Sequence, residues 1–391
     1  MNKQEKIQEV LERGVAEIIG FDHLKSRLAS GKKLRIKLGI DPTSPHIHIG
    51  RAVVLWKLRA FQDLGHQVIF IVGDFTGLIG DTSDKDSERP MLDQQTVRNN
   101  LKTYFKQAFK ILDSKKTETY YNSSWLKKLG FLEIGQMADL FSLHEFSARE
   151  NIKRRTDTGQ RVGLRELLYP LMQGYDSVAV RADVEIGGTD QKFNLLAGRK
   201  IQPSYDQAAQ AILTMELLEG TDGRKMSSSW GNTINVTDSP EQMFGKTMSI
   251  SDKLIKNYFI SATRVPLTEI TKIIKSNSNP RDQKLVLAWN MVSQYFSDKI
   301  ADQCRNSFIE QFTKKQLPTD IKEISIKPGK YEIIDLLVIS GLVKSKAEAR
   351  RLLVQGGVKL NQKSVDVSNI MLEKSNNILL QVGKRNFVRI K

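Results

Sequence analysis

Leu34-Arg35-Ile36-Lys37-Leu38-Gly39-Ile40-Asp41-Pro42-Thr43-Ser44-Pro45-His46-Ile47-His48-Ile49-Gly50-Arg51 is the stretch whose reading decides the fold. Apolar residues alternate over 34–40 as in a strand, two prolines make a turn, and a strongly helical run follows to about residue 64. Strand, turn, helix is the layout of a nucleotide site. A helix N-terminus offers unpaired N–H groups and the positive end of a dipole, and imidazoles such as His46 or His48 can reach phosphate oxygens. Gly65 stops the helix, and the apolar run 68–72 reads as a second, buried strand. In such a βαβ unit ligands sit at the carboxyl ends of the strands, just where Asp41 and Asp74 fall.

Composition bounds the rest. At 391 residues the chain has room for two or three domains. A single cysteine, Cys304, excludes a disulfide framework and a cysteine-built zinc site, and five histidines without a His-Glu-x-x-His pattern give no metal cluster. No metal site built by the protein is expected. The polar, helical N-terminus is neither a signal nor a transit peptide, and no run approaches the ~18 apolar residues of a membrane span, so a cytoplasmic location is expected. A net charge of +16 favours a polyanionic partner.

The first ~30 residues place Ile7, Val10, Leu11, Val15, Ile18 and Ile19 at helical spacing and read as one amphipathic helix. Beyond the βαβ unit, helices dominate from about 98 to 175, interrupted near 117–124 and at Gly130. A strand over 182–186 then runs into Gly187-Gly188-Thr189-Asp190-Gln191. The expected organisation is a Rossmann-like α/β domain over 1–235, a helical domain over 236–316, a linker over 317–330 with Pro318, Pro328 and Gly329, and a small α+β module over 331–391.

Six motifs occur in order: Gly39-Ile40-Asp41-Pro42-Thr43, His48-Ile49-Gly50-Arg51, Gly77-Leu78-Ile79-Gly80-Asp81, Tyr169-Pro170-Leu171-Met172-Gln173-Gly174-Tyr175-Asp176, Gly187 to Gln191, and Lys225-Met226-Ser227-Ser228-Ser229. Together they resemble the nucleotide and amino-acid signatures of the tyrosyl-tRNA synthetases, a class I aminoacyl-tRNA synthetase family. The resemblance implies a parallel-sheet catalytic domain that activates L-tyrosine with ATP and Mg2+, then transfers it to the 3′ adenosine of tRNA(Tyr). It further implies that Thr43, His48 and Lys225 are catalytic, and that Gly39, Asp41, Gly50, Gly188, Asp190, Met226, Ser227 and Ser228 join them in binding ATP. Tyrosine would be held by Asp81, Tyr169, Gln173, Asp176 and Gln191, with Asp176 accepting the phenol hydroxyl. Spacings of four and three put Tyr169, Gln173 and Asp176 on one helix face. Because the attacking carboxylate is already ionised, no general base is required, and catalysis rests on positioning and phosphate-charge stabilisation.

Three positions depart from the usual bacterial pattern. Arg51 stands where the first signature normally ends in His or Asn, either adding a phosphate contact or pointing to solvent. Ser228 replaces a frequent second lysine, removing one cation from the pyrophosphate clamp, for which a bound metal ion would be one compensation. Lys37 stands where relatives have a tyrosine that helps read the phenol, and alternation puts it on the same strand face as Gly39 and Asp41, within reach of the pocket.

The tail supplies separate evidence of an RNA partner. From 321 to 391 there are 14 Lys or Arg against 6 Asp or Glu, half of the excess charge of the whole chain. Ser345 can cap a helix bearing Lys346, Arg350 and Arg351, and Gly356-Gly357 turns it into a strand. This stretch resembles a small RNA-binding module shared with a ribosomal protein and pseudouridine synthases, which implies phosphate-rich RNA contacts through those three cations. The family is generally homodimeric. Alternative readings are a tryptophanyl-type class I synthetase, a catalytically silent RNA-binding protein on the same fold, and a small-molecule nucleotidylyltransferase. Asp176 weighs against the first and the basic tail against the first and last.

Overall fold

The computed structural model describes residues 2–81, 91–276, 279–313, 321–365, 369–372, 378–383 and 386–391, the side chains of 229 and 311–313 excepted. The chain forms two compact units, Met1–Phe308 and Ile309–Lys391.

The first unit is built on a six-stranded sheet: β1 (Val15–Ile19), β2 (Arg35–Ile40), β3 (Gln67–Val72), β4 (Thr117–Tyr121), β5 (Val184–Gly188) and β6 (Ala211–Met215). Their order is β1-β6-β5-β2-β3-β4, parallel except for β1, which runs antiparallel to β6 along one edge. The helix Ile49–Asp63 buries Ile49, Ala52, Val53, Leu55, Leu58 and Phe61 at helical spacing, and Gly65 at φ 93° ends it before β3. Strand order reverses at β2, which is flanked by β3 and β5, and such a switch point opens a crevice at the carboxyl ends of the strands.

Several expectations need correction. Residues 1–30 are not one helix: Gly14 at φ 60° breaks the chain after Lys3–Glu12, β1 follows, and Phe21–Ala29 is a second helix. The β-branched run Val15-Ala16-Glu17-Ile18-Ile19 gains more from pairing with β6 than from continuing a helix. The interruption at 117–124 contains strand β4, and the short buried run of β6 went unread. The helical residues 236–308 form no separate unit: Met243, Phe244, Tyr258, Phe259, Leu287 and Met291 share one core with the sheet. Trp56 Nε1 donates to Tyr295 Oη at 3.0 Å and Arg13 Nη1 to the Ile260 carbonyl at 2.9 Å, tying those helices to the α/β layer.

The second unit has five strands in the order β10-β9-β12-β13-β7 and a two-stranded ladder β11-β8, from β7 (Lys322–Ile324), β8 (Gly329–Glu332), β9 (Val358–Leu360), β10 (Lys363–Ser364), β11 (Asn369–Leu372), β12 (Ile378–Val382) and β13 (Asn386–Ile390). Helices Ile333–Ile339 and Lys346–Val354 pack on it through Leu336, Leu337 and Ala349. The linker expected over 317–330 is corrected at its C-terminal end. β7 pairs in parallel with β13 and β8 with β11, so backbone hydrogen bonding draws those residues into the module, while 317–320 lie outside the described residues.

At the switch point Lys37 of β2 and Glu185 of β5 are direct register partners, both with no solvent exposure, and form an ion pair at 2.8 Å. Lys37 Nζ also donates to the Gln173 carbonyl at 2.9 Å and to Ser177 Oγ at 2.8 Å, while Glu185 accepts from Gln173, Ser177 and Gln210. Lys37 therefore does not reach the pocket as expected; it is consumed beneath it. Removing one member strands a buried charge. Lys37→Met should cost about 3–5 kcal/mol in denaturant unfolding, and adding Glu185→Leu should recover most of it; a single variant as stable as its parent would contradict the coupling.

Candidate functional site

The crevice at the switch point opens into a cleft of 480 Å³. Its floor comes from the ends of β2 and β5, one wall from the N-terminus of Ile49–Asp63, another from the helix Leu164–Val180, and its rim from the loop carrying Lys225. Gly39, Asp41, Thr43, His48, Gly50, Asp81, Tyr169, Gln173, Asp176, Gly188, Asp190, Gln191, Lys225, Met226, Ser227 and Ser228 all line it. Every residue picked from sequence for ATP or tyrosine is thus in one space. Lys346, Arg350 and Arg351 belong to the second unit, and His46 lies outside the lining, its Nδ1 3.2 Å from Thr237 Oγ1.

One end of the cleft is a phosphate-type environment. His48 occupies the N-cap of Ile49–Asp63, and its buried Nδ1 has no hydrogen-bond partner among the described residues. Burial, then the neighbouring Arg51 and Lys225 charges, lowers its pKa to about 3, so the imidazole is neutral and presents a single N–H. Gly50 packs closely beside it: a Cβ there would lie 3.1 Å from His48 Nδ1 and 3.4 Å from Met226 Sδ, pressing on both side chains. Arg51 does not point to solvent. Its Nη2 donates to Thr43 Oγ1 at 2.9 Å and its Nη1 to Tyr104 Oη at 2.6 Å. Lys225 pairs with Asp190 at 3.1 Å. Its loop is braced by Asn232, which accepts from Ser227 N at 2.8 Å and donates to Asp222 Oδ1 at 2.8 Å and to the Lys225 carbonyl at 3.1 Å. Gly223 and Gly231 both adopt positive φ there, which turns the loop tightly on either side of Lys225 to Ser228.

The other end is enclosed and carries a buried acid. Asp176, 3% exposed, accepts from Trp125 Nε1 at 2.8 Å and Asn122 Nδ2 at 3.3 Å. Burial raises its pKa to about 7, against the opposing pull of Lys37 and those two donors. Tyr169 Oη donates to Asp41 Oδ2 at 2.9 Å, Thr76 Oγ1 to Asp41 Oδ1 at 2.7 Å, and Gln191 Nε2 to Asp81 Oδ2 at 2.7 Å. Sequence reading missed the supports of the site: Thr76, Asn122 and Trp125 around Asp41 and Asp176, Asn232 in the Lys225 loop, and Gly73, where a Cβ would overlap Asp41 Oδ1 and Thr76 Oγ1. Only the Gly73-Asp74 pair directly after β3 carried a signal, as backbone at the carboxyl end of a parallel strand.

A cleft with cations and helix N–H groups at one end and a buried acid at the other can hold a nucleotide and a small hydroxyl-bearing molecule side by side. The model for class I tRNA synthetases (W and Y) matches residues 29–313, and that for the Tyrosine–tRNA ligase SYY-like C-terminal domain matches residues 313–390. A tyrosine–tRNA ligase of Carboxydothermus hydrogenoformans is 46% identical over 98% of this chain and 97% of its own length. That of Thermotoga maritima is 44% identical over 100% of this chain and 98% of its own. Among solved structures, a C-terminally truncated mitochondrial tyrosyl-tRNA synthetase of Aspergillus nidulans shares the fold at TM-score 0.67 and 21% identity, covering 78% of this chain and 94% of that one. The enzyme of Archaeoglobus fulgidus, solved with L-tyrosine, does so at TM-score 0.62 and 21% identity, over 78% and 100%. Two consecutive family models and full-length relatives at this identity show that the chain belongs to the tyrosine–tRNA ligase family of class I aminoacyl-tRNA synthetases.

Proposed function

We propose that this chain joins L-tyrosine to ATP, supplied as its magnesium complex, and passes the tyrosyl group to the 3′ adenosine of tRNA(Tyr). The observation that carries the reading is the single cleft with a neutral imidazole, Thr43, Arg51 and Lys225 at one end and the buried Asp176 at the other. The substrate carboxylate attacks the α-phosphorus and pyrophosphate leaves. No proton moves, so a neutral His48 suits the step: it donates one hydrogen bond without titrating near pH 7. Thr43 and Lys225 meet the β- and γ-phosphates, Gly39, Asp41, Gly50 and Met226 to Ser228 shape the nucleotide site, and Gly188 and Asp190 take the ribose. Asp81, Tyr169, Gln173 and Gln191 orient the tyrosine ammonium. Asp190 and Lys225 are paired with each other and exchange that contact for ribose and phosphate when ATP enters.

Asp176 reads the phenol. A hydroxyl filling that space completes the set of hydrogen bonds to a buried carboxylate, whereas phenylalanine leaves it unpaired; discrimination of this kind by a tyrosyl-tRNA synthetase is an established example. With its pKa raised to about 7, Asp176 is mostly ionised at pH 8 and mostly protonated at pH 6. The KM for tyrosine should therefore rise roughly tenfold from pH 8 to pH 6 while the KM for ATP stays level. In Asp176→Asn that dependence should vanish and selectivity over phenylalanine should collapse. A pH-independent KM in the parent, or full selectivity in the variant, would contradict the assignment.

The second unit supplies the RNA contact. Arg350 and Arg351 are exposed on a helix capped by Ser345, whose Oγ accepts from Glu348 N at 3.2 Å, and exposed Lys346 shares the helix although it pairs with Asp335 at 2.6 Å. A chain ending at residue 316 should form adenylate within about twofold of the parent yet charge tRNA poorly, with the deficit growing as salt rises. Equal loss of both steps would contradict a separate RNA-binding role.

The active molecule is a cytoplasmic homodimer in this reading. Phe131, Leu132, Leu143 and Leu164 are 92%, 78%, 73% and 79% exposed on three helices that share one cluster around Met137, Phe146 and Leu171, an apolar face that a second copy would cover. Leu164→Glu should convert the dimer to a monomer in sedimentation; an unchanged mass would contradict this face. No helix among the described residues is long and apolar enough to cross a membrane.

A further inference from the structure

Arg51 is a cation whose described partners are hydroxyls, not acids. It sits at the third position of the helix Ile49–Asp63, inside the first turn, where the helix dipole already presents positive charge. It is half-buried, and both of its terminal nitrogens are spent on neutral hydroxyls, Thr43 Oγ1 and Tyr104 Oη. Among the described residues no carboxylate pairs with it. The acids that line the same cleft are engaged elsewhere: Asp190 with Lys225, Asp41 with Thr76 and Tyr169, Asp81 with Gln191, and Asp176 with Trp125 and Asn122. His48 registers the field, since burial first and then Arg51 and Lys225 hold it down to about 3. A guanidinium in that position, with no carboxylate partner among the described residues, is prepared for an anion that arrives with the substrate.

The Lys225 loop lines the same cleft with Met226, Ser227 and Ser228, Met226 Sδ lying 3.4 Å from Gly50 N, and offers hydroxyls where a second lysine is frequent. The two departures are complementary. The cleft gains a cation at position 51 and lacks one at position 228, and Arg51 is fixed against Thr43, itself assigned to phosphate.

We infer that Arg51 is a catalytic residue for the activation step, the second cation of the pyrophosphate clamp, supplying from the helix N-terminus the charge that Ser228 does not supply from the loop. In this step a carboxylate oxygen forms a bond to the α-phosphorus as the bond from that phosphorus to the bridging oxygen breaks. The electron pair stays on pyrophosphate, whose negative charge grows, and no proton is transferred. Arg51 meets that growing charge with a planar, permanently charged fork already oriented by two hydroxyls. The assignment rests on the activation reaction proposed above and specifies how its leaving group is held.

The test compares the full-length parent with Arg51→Gln, Arg51→Lys and Arg51→Gln/Ser228→Lys, after checking that each unfolds at the temperature of the parent. Tyrosine-dependent ATP–pyrophosphate exchange should fall about 10- to 100-fold in Arg51→Gln, with the KM for tyrosine changed by less than about twofold. Inhibition by pyrophosphate should weaken in parallel. Arg51→Lys should retain part of the rate, and Ser228→Lys should restore a large part of what Arg51→Gln loses. Exchange and pyrophosphate inhibition that both stay within about twofold of the parent would overturn the assignment, as would a slower rate with unchanged pyrophosphate inhibition. A parent that shows no exchange would overturn the activation reading instead. Direct calorimetric binding of pyrophosphate to the parent and to Arg51→Gln still reports on the charge in that case.

Discussion

The ion pair between Lys37 and Glu185 is the constraint on which the site depends. It joins β2 to β5 at the point where strand order reverses, and those two strands end at the cleft. Two fully buried charges tolerate little relaxation, so the pair holds the strands in a fixed register and fastens the helix Leu164–Val180 through the Gln173 carbonyl and Ser177. Asp176 lies on that helix between them. The Lys37 charge also acts on Asp176 from below, opposing the desolvation that keeps part of its carboxyl protonated. A single buried pair thus fixes the helix that carries the acid and tempers the effect of burial on it.

The two ends of the cleft use opposite devices. At the phosphate end positive charge gathers from a helix N-terminus, Arg51 and Lys225, the last paired with Asp190, and His48 is kept neutral first by burial and then by those two cations. At the other end a negative group is buried and its cost is met by hydrogen bonds from Trp125 and Asn122. In the proposed reading the first device binds a highly charged ligand and follows its charge as it develops, and the second binds a nearly neutral ligand and rejects one that lacks a hydroxyl. Between them Asp41 links the two, accepting from Tyr169 on the amino-acid side and lying just after β2, two residues before Thr43.

Much of this was legible in sequence because backbone chemistry announces itself locally. The strand, turn and helix around residues 34–64, the glycines at 187 and 188 and the capped helix after Ser345 all carry their structure in residue types and spacing. β4 and β6 were not legible: the short, fully buried β6 lacks alternation, and the polar, partly exposed β4 is told from a loop only by its pairing with β3. The N-terminal region misled because Val15, Ile18 and Ile19 fit a helical period as well as a strand. In the site, residues that touch the ligand space could be picked from motifs. Their supports, Thr76, Asn122, Trp125 and Asn232, are ordinary polar and aromatic residues whose roles arise only when distant segments meet. Lys37 shows the same limit in reverse: alternation gave its face correctly but could not reveal that Glu185 waits on the adjacent strand.

The central claim is that one end of this cleft prepares a phosphate leaving group while the other reads a phenol. Its most direct test is amino-acid-dependent ATP–pyrophosphate exchange by the purified full-length chain with magnesium, run in parallel with tyrosine, tryptophan and phenylalanine. The account predicts exchange with tyrosine and only background with the other two. Exchange driven by tryptophan, or equal exchange with phenylalanine, would contradict it at Asp176, and no exchange with any of the three would contradict it at the phosphate end.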